Sequence, residues 1–238
     1  MSKYYITALI PARSGSKGIK DKNIKTYHGK PLLSYSIKQG LESHFIDEVV
    51  VTTDSKQYRD ISIEHGADSV VMRPKEISGD LSVDYEFFLH YVNLLSEKNS
   101  KIPDFIVLLR PTYPLRNVDD IDKAISMFID NYDKVDSMRS VVPCSQTPYK
   151  MWHLKESGML EAVCSIKGQN EAFNLPRQSL PAVYWQNACI DIVKTSTIVN
   201  MRSVTGKRVF PYIMKPSEVY DIDTIDDFYK STNKHRNC

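Results

Sequence analysis

Short apolar runs alternate with helix-patterned stretches along the first two-thirds of the chain, and this alternation limits the possible folds more than any other feature. Residues 105–109 (FIVLL) form a continuous apolar run, as expected of a central parallel strand that is buried on both faces. Residues 117–131 then place apolar side chains at helical spacing. Repeated strand–helix–strand units with short connections predict an α/β fold with a parallel sheet covered by helices on both faces.

The same reading locates the other elements and one long interruption. Strands are predicted at residues 4–10, 47–53, 69–72, 105–109, 140–143, 188–193 and 209–214, and helices at residues 31–41, 55–65, 83–95, 117–131 and 224–229. Residues 146–183 contain three prolines and have poor apolar periodicity. We interpret this segment as an excursion from the sheet that serves as a lid, a dimerisation arm or a substrate-specificity subdomain. The polar tail, residues 230–238, is expected to fray.

Composition allows a folded protein and argues against several functional classes. With 238 residues, 42% of them apolar, the chain can bury a core, and we predict a single domain over residues 1–238 that carries a subdomain. A net charge of +2 is smaller than a protein that neutralises many duplex phosphates usually has. The four cysteines are widely spaced, with no C-x-x-C pair to suggest zinc. The apolar run at residues 4–10 is too short for a signal peptide or a membrane span. We therefore expect a cytoplasmic protein without a nucleic-acid or membrane partner.

The loop after the first predicted strand concentrates small and basic residues. Residues 12–23 include Arg13, Lys17 and Lys22, and the only acidic side chain among them is Asp21. In an open parallel sheet, ligands bind beyond the carboxyl ends of the strands. Backbone N–H groups of small residues can approach phosphate oxygens closely there. The loop therefore suits a triphosphate, although it matches neither the P-loop nor the dinucleotide fingerprint, and a solvated basic turn remains the alternative.

Two carboxylates near the end of the chain form a second candidate site. Asp221 and Asp223 flank Ile222, so an extended backbone directs both carboxylates to the same side. Such a pair can clamp Mg²⁺ when substrate phosphates complete the coordination shell. The alternative is a surface strand followed by a helix cap. A basic phosphate loop together with paired carboxylates favours metal-assisted nucleotidyl transfer.

The motifs resemble, in order, those of cytidylyltransferases that activate acidic sugars, above all the CMP-N-acylneuraminate (CMP-sialic acid) synthetases and their legionaminate and pseudaminate relatives. The matching segments are residues 11–13 (PAR), 16–18 (SKG), 22–23 (KN), 28–32 (HGKPL), 50–54 (VVTTD), 73–74 (RP) with Glu76 and Asp80, 108–116 (LLRPTYPLR), 176–178 (PRQ) and 221–224 (DIDT). Each segment is short, and the specificity of the resemblance lies in their order and spacing over residues 6–228.

The resemblance implies a fold, an assembly and a reaction. The fold would be a Rossmann-like, mainly parallel sheet, and a homodimer would form partly through the arm at residues 146–183. The reaction would join CTP to a 2-keto-3-deoxy sugar acid with Mg²⁺ as cofactor, giving a CMP-sugar and pyrophosphate. Such products feed the synthesis of capsule or lipopolysaccharide.

The resemblance also implies roles for individual residues. The catalytic residues would be Arg13, Lys17, Asp221 and Asp223, and the two aspartates would hold the magnesium. The nucleotide-binding residues would be Ala12, Arg13, Ser16, Lys17, Lys22, Asn23, Arg73 and Ser82. The acceptor-binding residues would be Arg110, Arg177, Gln178 and Asn187. Arg177 suits a carboxylate because a guanidinium can bind one with two hydrogen bonds. Arg73 and Asn187 also have plain structural alternatives, a solvated loop residue and a turn former.

Three positions depart from the pattern of the sialate enzymes. Arg110 stands where they commonly have a glutamine that contacts the sugar, Asp191 replaces an aromatic residue that packs on the sugar, and Asp84 replaces a serine near the base. We hypothesise that the nucleotide side is kept and the sugar side is altered. Arg110 leaves open a different acceptor, Kdo or a sugar or polyol phosphate, because a phosphate favours a cation. A nucleotide-sugar-binding protein without activity is disfavoured because Lys17 and both aspartates of the metal site are present.

Overall fold

A seven-stranded sheet forms the centre of the computed structural model, which describes residues 3–218 and 220–234. The strands are β1 (Ile6–Pro11), β2 (Glu48–Thr53), β3 (Ser69–Met72), β4 (Phe105–Leu108), β5 (Ser137–Pro143), β6 (Tyr184–Lys194) and β7 (Val209–Ile213). They lie in the order β7-β5-β6-β4-β1-β2-β3. β1 pairs in parallel with β2 and β4, β2 with β3, and β7 with β5, whereas β6 runs antiparallel to β4 and β5. The predicted mainly parallel sheet is confirmed. The six strands other than β6 run in the same direction, so their carboxyl ends lie at one edge of the sheet.

Helices cover both faces of the sheet, as predicted. They are α1 (Leu32–Glu42), α2 (Lys56–Glu64), α3 (Asp84–Glu97), α4 (Val118–Asp130), α5 (Thr195–Met201) and α6 (Ile225–Lys234). α1, α2 and α4 contribute to the core on one face, and α3 and α5 to the core on the other. Leu9 and Ile10, neighbours in β1, belong to these opposite cores and are both fully buried. Such two-sided burial explains why the strands read as continuous apolar runs. Within the described parts of the chain, none of the helices combines the length and the apolar character of a membrane span.

The differences from the predicted elements lie in the last third of the chain. β6 begins at Tyr184 rather than at residue 188. The sequence did not reveal its first residues because their side chains are exposed and carry no apolar pattern. Helix α5 was not predicted, since its threonines and serine are weak helix formers. Helix α6 continues through Lys234, so the expectation of a frayed tail is wrong for residues 230–234. Residues 235–238 lie outside the described part of the chain.

Residues 146–183, the predicted excursion, contain none of the strands of the main sheet. They form a short antiparallel hairpin, Trp152–Leu154 with Leu160–Ala162, and several single turns of 3-10 helix. We call this segment the arm. It leaves β5 and returns to β6 at the sheet edge where the parallel strands end. Its predicted role in dimerisation stays a prediction.

Candidate active site

The edge of the sheet at which the parallel strands end brings most of the predicted site residues together. Arg13 follows β1, Arg73 follows β3 and Arg110 follows β4. The antiparallel strand β6 begins at this edge and adds Asn187. In open α/β sheets, ligands bind at this edge because the loops there diverge. Two cavities open at it, and they divide at the neighbouring residues Thr112 and Tyr113.

The smaller cavity, of about 210 Å³, is dominated by charged side chains. We call it the basic cavity. Its charged lining consists of Arg13, Lys22, Arg73, Arg110 and Asp84. Its other lining residues are Pro11, Ser16, Asn23, Ser82, Phe87, Pro111 and Thr112. Six of the eight predicted nucleotide-binding residues therefore share one cavity, whereas Ala12 is buried beneath the loop and the side chain of Lys17 is largely exposed outside it.

Hydrogen bonds fix the loop after β1 in place. The Asn23 side-chain amide donates to the backbone carbonyl of Arg13 at 3.0 Å. The backbone N–H and the hydroxyl of Ser14 donate to the two carboxylate oxygens of Asp54, each at 2.7 Å. Burial acts to raise the pKa of Asp54, but the Ser14 hydrogen bonds and the charge of Arg73 outweigh it and hold the pKa below its usual value. The loop is thus preorganised before any ligand binds.

Asp80 pairs with both cations that are predicted to stabilise the transition state. Its carboxylate lies 2.9 Å from Nη1 of Arg13 and 2.7 Å from Nζ of Lys17. Hydrogen bonds from Lys17 and Arg13 lower the pKa of Asp80. The sequence assigned no role to Asp80, although it is part of the matched loop that begins with Arg73 and Pro74. One carboxylate occupies the donors that a phosphate would use.

Arg73 is held rigidly in the wall of the basic cavity. It is only 7% exposed, and its guanidinium donates to the side chain and the carbonyl of Thr52 at 3.3 and 3.1 Å. The guanidinium carbon lies 4.7 Å from the ring centroid of Phe87. Burial lowers the pKa of Arg73 to about 10, against the opposing charges of Asp54 and Asp84. The alternative of a solvated loop residue is therefore wrong.

Ile222 anchors the segment that carries the two predicted metal ligands. It is fully buried in a small apolar cluster with Ile19, Tyr27 and Phe228. Its backbone N–H donates to the carbonyl of Thr112 at 3.0 Å. Asp221 and Asp223, on either side of it, are both exposed. The sequence predicted that both carboxylates lie on one side of the segment, and this alternation of exposed and buried side chains is confirmed. The segment adjoins the point where the two cavities divide.

The loop after β1 touches this segment directly. Nζ of Lys22 lies 3.0 Å from Oδ1 of Asp223 and donates to the carbonyl of Ile222 at 3.0 Å. A Cβ atom at Gly18 would lie 2.8 Å from the carbonyl oxygen of Asp223, so only glycine allows this approach. Desolvation by the protein around Asp221 raises its pKa, although its surface is open to solvent, and the charge of Asp223 adds to the effect. Among the described residues, no group of three or more acidic, histidine or cysteine side chains could hold a metal, so this site offers two carboxylates.

The larger cavity, of about 670 Å³, lies between the sheet edge and the arm, and we call it the arm cavity. It is lined by Tyr113, Val142, Pro143, Cys144, Ser145, Gln146, Met151, Trp185, Gln186, Asn187, Ala188, Pro216 and Asp221. Asn187 is 4% exposed, and its Oδ1 accepts from the hydroxyl of Ser140 at 2.5 Å and from the backbone N–H of Cys189 at 3.1 Å. The hydroxyl of Tyr113 donates to the carbonyl of Asn187. The side chain of Asn187 is therefore engaged within the protein.

The four residues predicted to bind the acceptor are not brought together. Arg110 lines the basic cavity, where its Nη2 donates to Asp84. Arg177 and Gln178 are exposed in a 3-10 turn of the arm. Nη2 of Arg177 donates to the carbonyl of Cys144 at 3.2 Å, which places it beside the arm cavity. Sequence reasoning missed Tyr113, whose only signal is its place in the matched segment at residues 108–116.

Known proteins share this sequence and this arrangement of the chain. Residues 7–203 match a family model described as cytidylyltransferase. The chain is 33% identical to an N-acylneuraminate cytidylyltransferase of Streptococcus agalactiae over 92% of its own length, and it spans about half (51%) of that relative. It is 32% identical to the CMP-N,N'-diacetyllegionaminic acid synthase of Legionella pneumophila, with coverage of 94% of this chain and 93% of the relative. It is 31% identical to the post-translational flagellin modification protein B of Campylobacter coli, with coverage of 94% and 92%.

A solved structure shares the fold. CMP:2-keto-3-deoxy-manno-octonic acid synthetase in complex with CTP superposes with a TM-score of 0.70 and 13% identity, covering 98% of this chain and 99% of that one. This likeness confirms the Rossmann-like arrangement of sheet and helices. With the family match over most of its length and relatives of similar size above 30% identity, the chain belongs to the cytidylyltransferase family.

Proposed function

We propose that this protein transfers CMP from CTP to a sialic-acid-like 2-keto-3-deoxy sugar acid and releases pyrophosphate. One observation carries the proposal: a basic cavity and a larger, mainly apolar cavity with polar residues in its wall adjoin at Thr112 and Tyr113, beside the exposed carboxylates of Asp221 and Asp223. The first suits a nucleoside triphosphate and the second an acidic sugar. The names of the relatives, which act on sialic and legionaminic acids, support this substrate class.

In this proposal the basic cavity binds CTP. Arg13 and Lys17 hold the β- and γ-phosphates and stabilise the charge that develops on the leaving pyrophosphate. Lys22 assists them from the floor of the cavity. Asn23, Arg73 and Ser82 contact the base and the ribose, and Ala12 and Ser16 offer backbone and hydroxyl donors. Because the loop is already fixed by Ser14 and Asn23, little reorganisation is needed when the triphosphate binds.

Asp221 and Asp223 suit a divalent cation that also binds substrate phosphate. Two exposed carboxylates anchored by one buried isoleucine, with a raised pKa at Asp221, form a site whose mutual repulsion a cation relieves. Mg²⁺ prefers one or two protein carboxylates plus substrate phosphates, which is the donor set available here. When bound, Mg²⁺ would neutralise phosphate charge and lower the pKa of the attacking sugar hydroxyl. The two aspartates orient the reacting groups, and no protein nucleophile is required.

The arm cavity binds the acceptor in this proposal. Arg177, beside its wall, is the candidate for the sugar carboxylate, with Gln178 and Asn187 nearby. Arg110 was the reason to consider a phosphate-bearing acceptor. Its charge is held by Asp84 in the basic cavity, which leaves that alternative without a supporting contact. We also expect a cytoplasmic enzyme whose product supplies capsule or lipopolysaccharide synthesis.

We further propose one nucleotidyltransferase domain that forms a homodimer through the arm. Several large apolar side chains on or beside the arm are exposed: Trp152, Leu154, Met159, Leu160 and Trp185. Large exposed apolar side chains concentrated on one segment are typical of interfaces. Sedimentation velocity should show a dimer, and Leu154→Glu should shift it to monomer, whereas Ile63→Glu on the outer face of α2 should not. A monomeric parent protein would refute the dimer.

Pyrophosphate release tests the reaction. Purified protein with CTP and Mg²⁺ is offered N-acetylneuraminate, legionaminate, pseudaminate, Kdo and sugar phosphates. We expect release with a nonulosonate, and its loss in Asp221→Asn and Asp223→Asn but not in Asp60→Asn, which removes an exposed charge on α2. Release with Kdo or a sugar phosphate alone would replace the acceptor class. Full activity in both aspartate variants would refute the metal site.

A further inference from the structure

Four charged side chains of alternating sign form a row that ends in the basic cavity. Nη2 of Arg110 pairs with Oδ2 of Asp84, and Nη1 of Arg139 lies 3.0 Å from Oδ2 of Asp191. The charge of Asp191 also stabilises the charged form of Arg110, which joins the two pairs. We call Asp84, Arg110, Asp191 and Arg139 the charged row. Its formal charges cancel.

The pair at the cavity is more exposed than the other pair. The side chain of Asp84 is 34% exposed and that of Arg110 29%, whereas Arg139 is 12% and Asp191 2% exposed. One oxygen of Asp191 and Nε of Arg110 are buried without a hydrogen-bond partner in the described structure. Buried ion pairs of this kind are no more stabilising than apolar residues of the same volume, because desolvation offsets the attraction. Stability alone therefore does not explain the row.

The row fixes the carboxylate of Asp84 on the cavity wall. Asp84 is the first residue of α3, so its backbone is set by the helix, and Arg110 holds one of its two carboxylate oxygens. Arg110 carries the charge that Asp191 acts on, and Asp191 is itself fixed by Arg139, whose Nη2 donates to the carbonyl of Val204. The other carboxylate oxygen of Asp84, Oδ1, makes none of the hydrogen bonds found among the described residues. Asp84 thus presents a rigid acceptor beside the Arg73–Phe87 wall.

A fixed carboxylate in a cavity that also contains two guanidinium groups complements one pyrimidine better than another. Cytosine offers an amino group at C4 as donor, with N3 and O2 as acceptors, and aspartate or glutamate accepts from that amino group in known complexes. Uracil offers O4 at the same place, which would face the carboxylate with no proton between them. Arg73 and Arg110, which line the same cavity as Asp84, are donors for N3 and O2.

We propose that Asp84 reads the exocyclic amino group of cytosine, and that Arg110, with the Asp191–Arg139 pair behind it, positions Asp84 for this contact. The inference rests on the proposed use of CTP. It gives a physical reason for three charged residues that depart together from the sialate pattern: Asp84, Arg110 and Asp191 act as one unit on the nucleotide side. The hypothesis that these three alter the sugar side is replaced by this assignment.

Calorimetric binding of CTP and UTP to the full-length protein tests the contact at Asp84. The ratio of the two dissociation constants isolates base recognition, because the triphosphate charge is the same in both ligands. Asp84→Asn exchanges an acceptor for an amide that can donate to O4 of uracil, so we expect the CTP preference to fall by about tenfold or more. Asp84→Ser, which suits the first turn of a helix, is a second variant in case the first is poorly folded. Asp60→Asn is the matched control for charge.

The outcomes separate the inference from the proposed function. A parent protein that binds neither nucleotide refutes both. A parent that binds CTP, with a preference over UTP that both Asp84 variants retain, refutes the contact and leaves the function standing. A parent that binds CTP and UTP equally also refutes the contact and leaves the function standing.

Asp191→Asn tests the positioning role. We expect it to reduce the CTP preference about threefold to tenfold while the Mg²⁺-dependent kcat, measured at saturating CTP, changes little. A structural defect alone would lower kcat and leave the ratio of CTP to UTP affinity unchanged, and that result would overturn the positioning role.

Discussion

The basic cavity and the arm cavity are built in opposite ways although they share one sheet edge. Five charged side chains line the basic cavity: four follow parallel strands in the chain, and Asp84 is the first residue of α3. Among the described residues, Asp221 is the only charged one that lines the arm cavity, which is about three times larger (670 against 210 Å³) and is bounded by the arm. Paired charged side chains form the wall of the basic cavity, whereas the arm, a segment outside the sheet, forms a wall of the arm cavity.

This difference reflects what each cavity has to bind. A triphosphate has the same charge and shape in every reaction, so cations fixed at the sheet edge can be prepared in advance. Acidic sugars differ in their substituents, and an arm that is not part of the sheet can vary without disturbing the core. The comparison predicts that nucleotide-side changes alter CTP binding and turnover, and that arm-side changes act on the acceptor.

The strongest test of this division compares two arginines. Arg13→Ala removes a phosphate donor from the basic cavity, and we expect kcat/KM for CTP to fall by about 10²–10³-fold. Arg177→Ala removes an exposed guanidinium beside the arm cavity, and we expect a higher KM for the acceptor with CTP affinity unchanged. Steady-state kinetics with each substrate varied in turn measures both. Equal loss of CTP affinity in the two variants would show that the cavities are not functionally separate.

A smaller effect is expected where the loop after β1 meets the metal-ligand segment. Gly18→Ala places a Cβ atom 2.8 Å from the carbonyl of Asp223, so loop and segment must move apart. A displacement of about 1 Å in a reacting geometry can reduce the rate about a hundredfold. We expect that loss in kcat with normal thermal stability.

Gly79→Ala is the matched control for Gly18→Ala. Its Cβ would meet the hydroxyl of Ser82 at 3.8 Å, an ordinary contact, and it lies in a neighbouring loop. If both variants lose activity equally, the approach of Gly18 to Asp223 is not what matters.

The fold was predictable because its signals are local. Strand β1 reads as an apolar run since both of its faces are buried, and α4 is capped by Asn117, whose side chain accepts from the backbone N–H of Asp119. The start of β6 at Tyr184 carries no such signal, because exposed residues there pair only with β5. Its antiparallel direction depends on where the arm returns, which no local pattern specifies.

The site was predictable only where motifs are contiguous. The loop that carries Arg13 and the segment of Asp221 and Asp223 were recognised from neighbouring residues. The pairing of Arg110 with Asp84, 26 residues away, and of Asp191 with Arg139 joins separate elements of the fold. Asp84, Arg110 and Asp191 looked like isolated departures in the sequence, Arg139 gave no signal, and only the folded chain brings the four together.

In the wall of the arm cavity, a variant of Asn187 tests whether this residue stabilises the fold or contacts the acceptor. Asn187→Ala would leave the hydroxyl of Ser140 and the N–H of Cys189 without their acceptor, and we expect a loss of about 1–3 kcal/mol in the free energy of unfolding. Gln178→Ala, at an exposed position, should change it by less than about 0.5 kcal/mol. Denaturant unfolding measures both. Unchanged stability of Asn187→Ala with weaker acceptor binding would make Asn187 a direct contact.

The smallest expected effect tests whether the carboxylate of Asp80 competes with the triphosphate for Arg13 and Lys17. Asp80 competes with phosphate for Arg13 and Lys17, and exposed ion pairs of this type are weak because solvent screens them. Asp80→Asn should therefore tighten CTP binding by up to about fivefold at low salt, and less at high salt, because screening weakens both the pair and its competition. Asp60→Asn changes the net charge equally without touching these cations. Calorimetry at two salt concentrations separates the cases: weaker CTP binding in Asp80→Asn would mean that Asp80 orients the two cations for the triphosphate rather than competing with it.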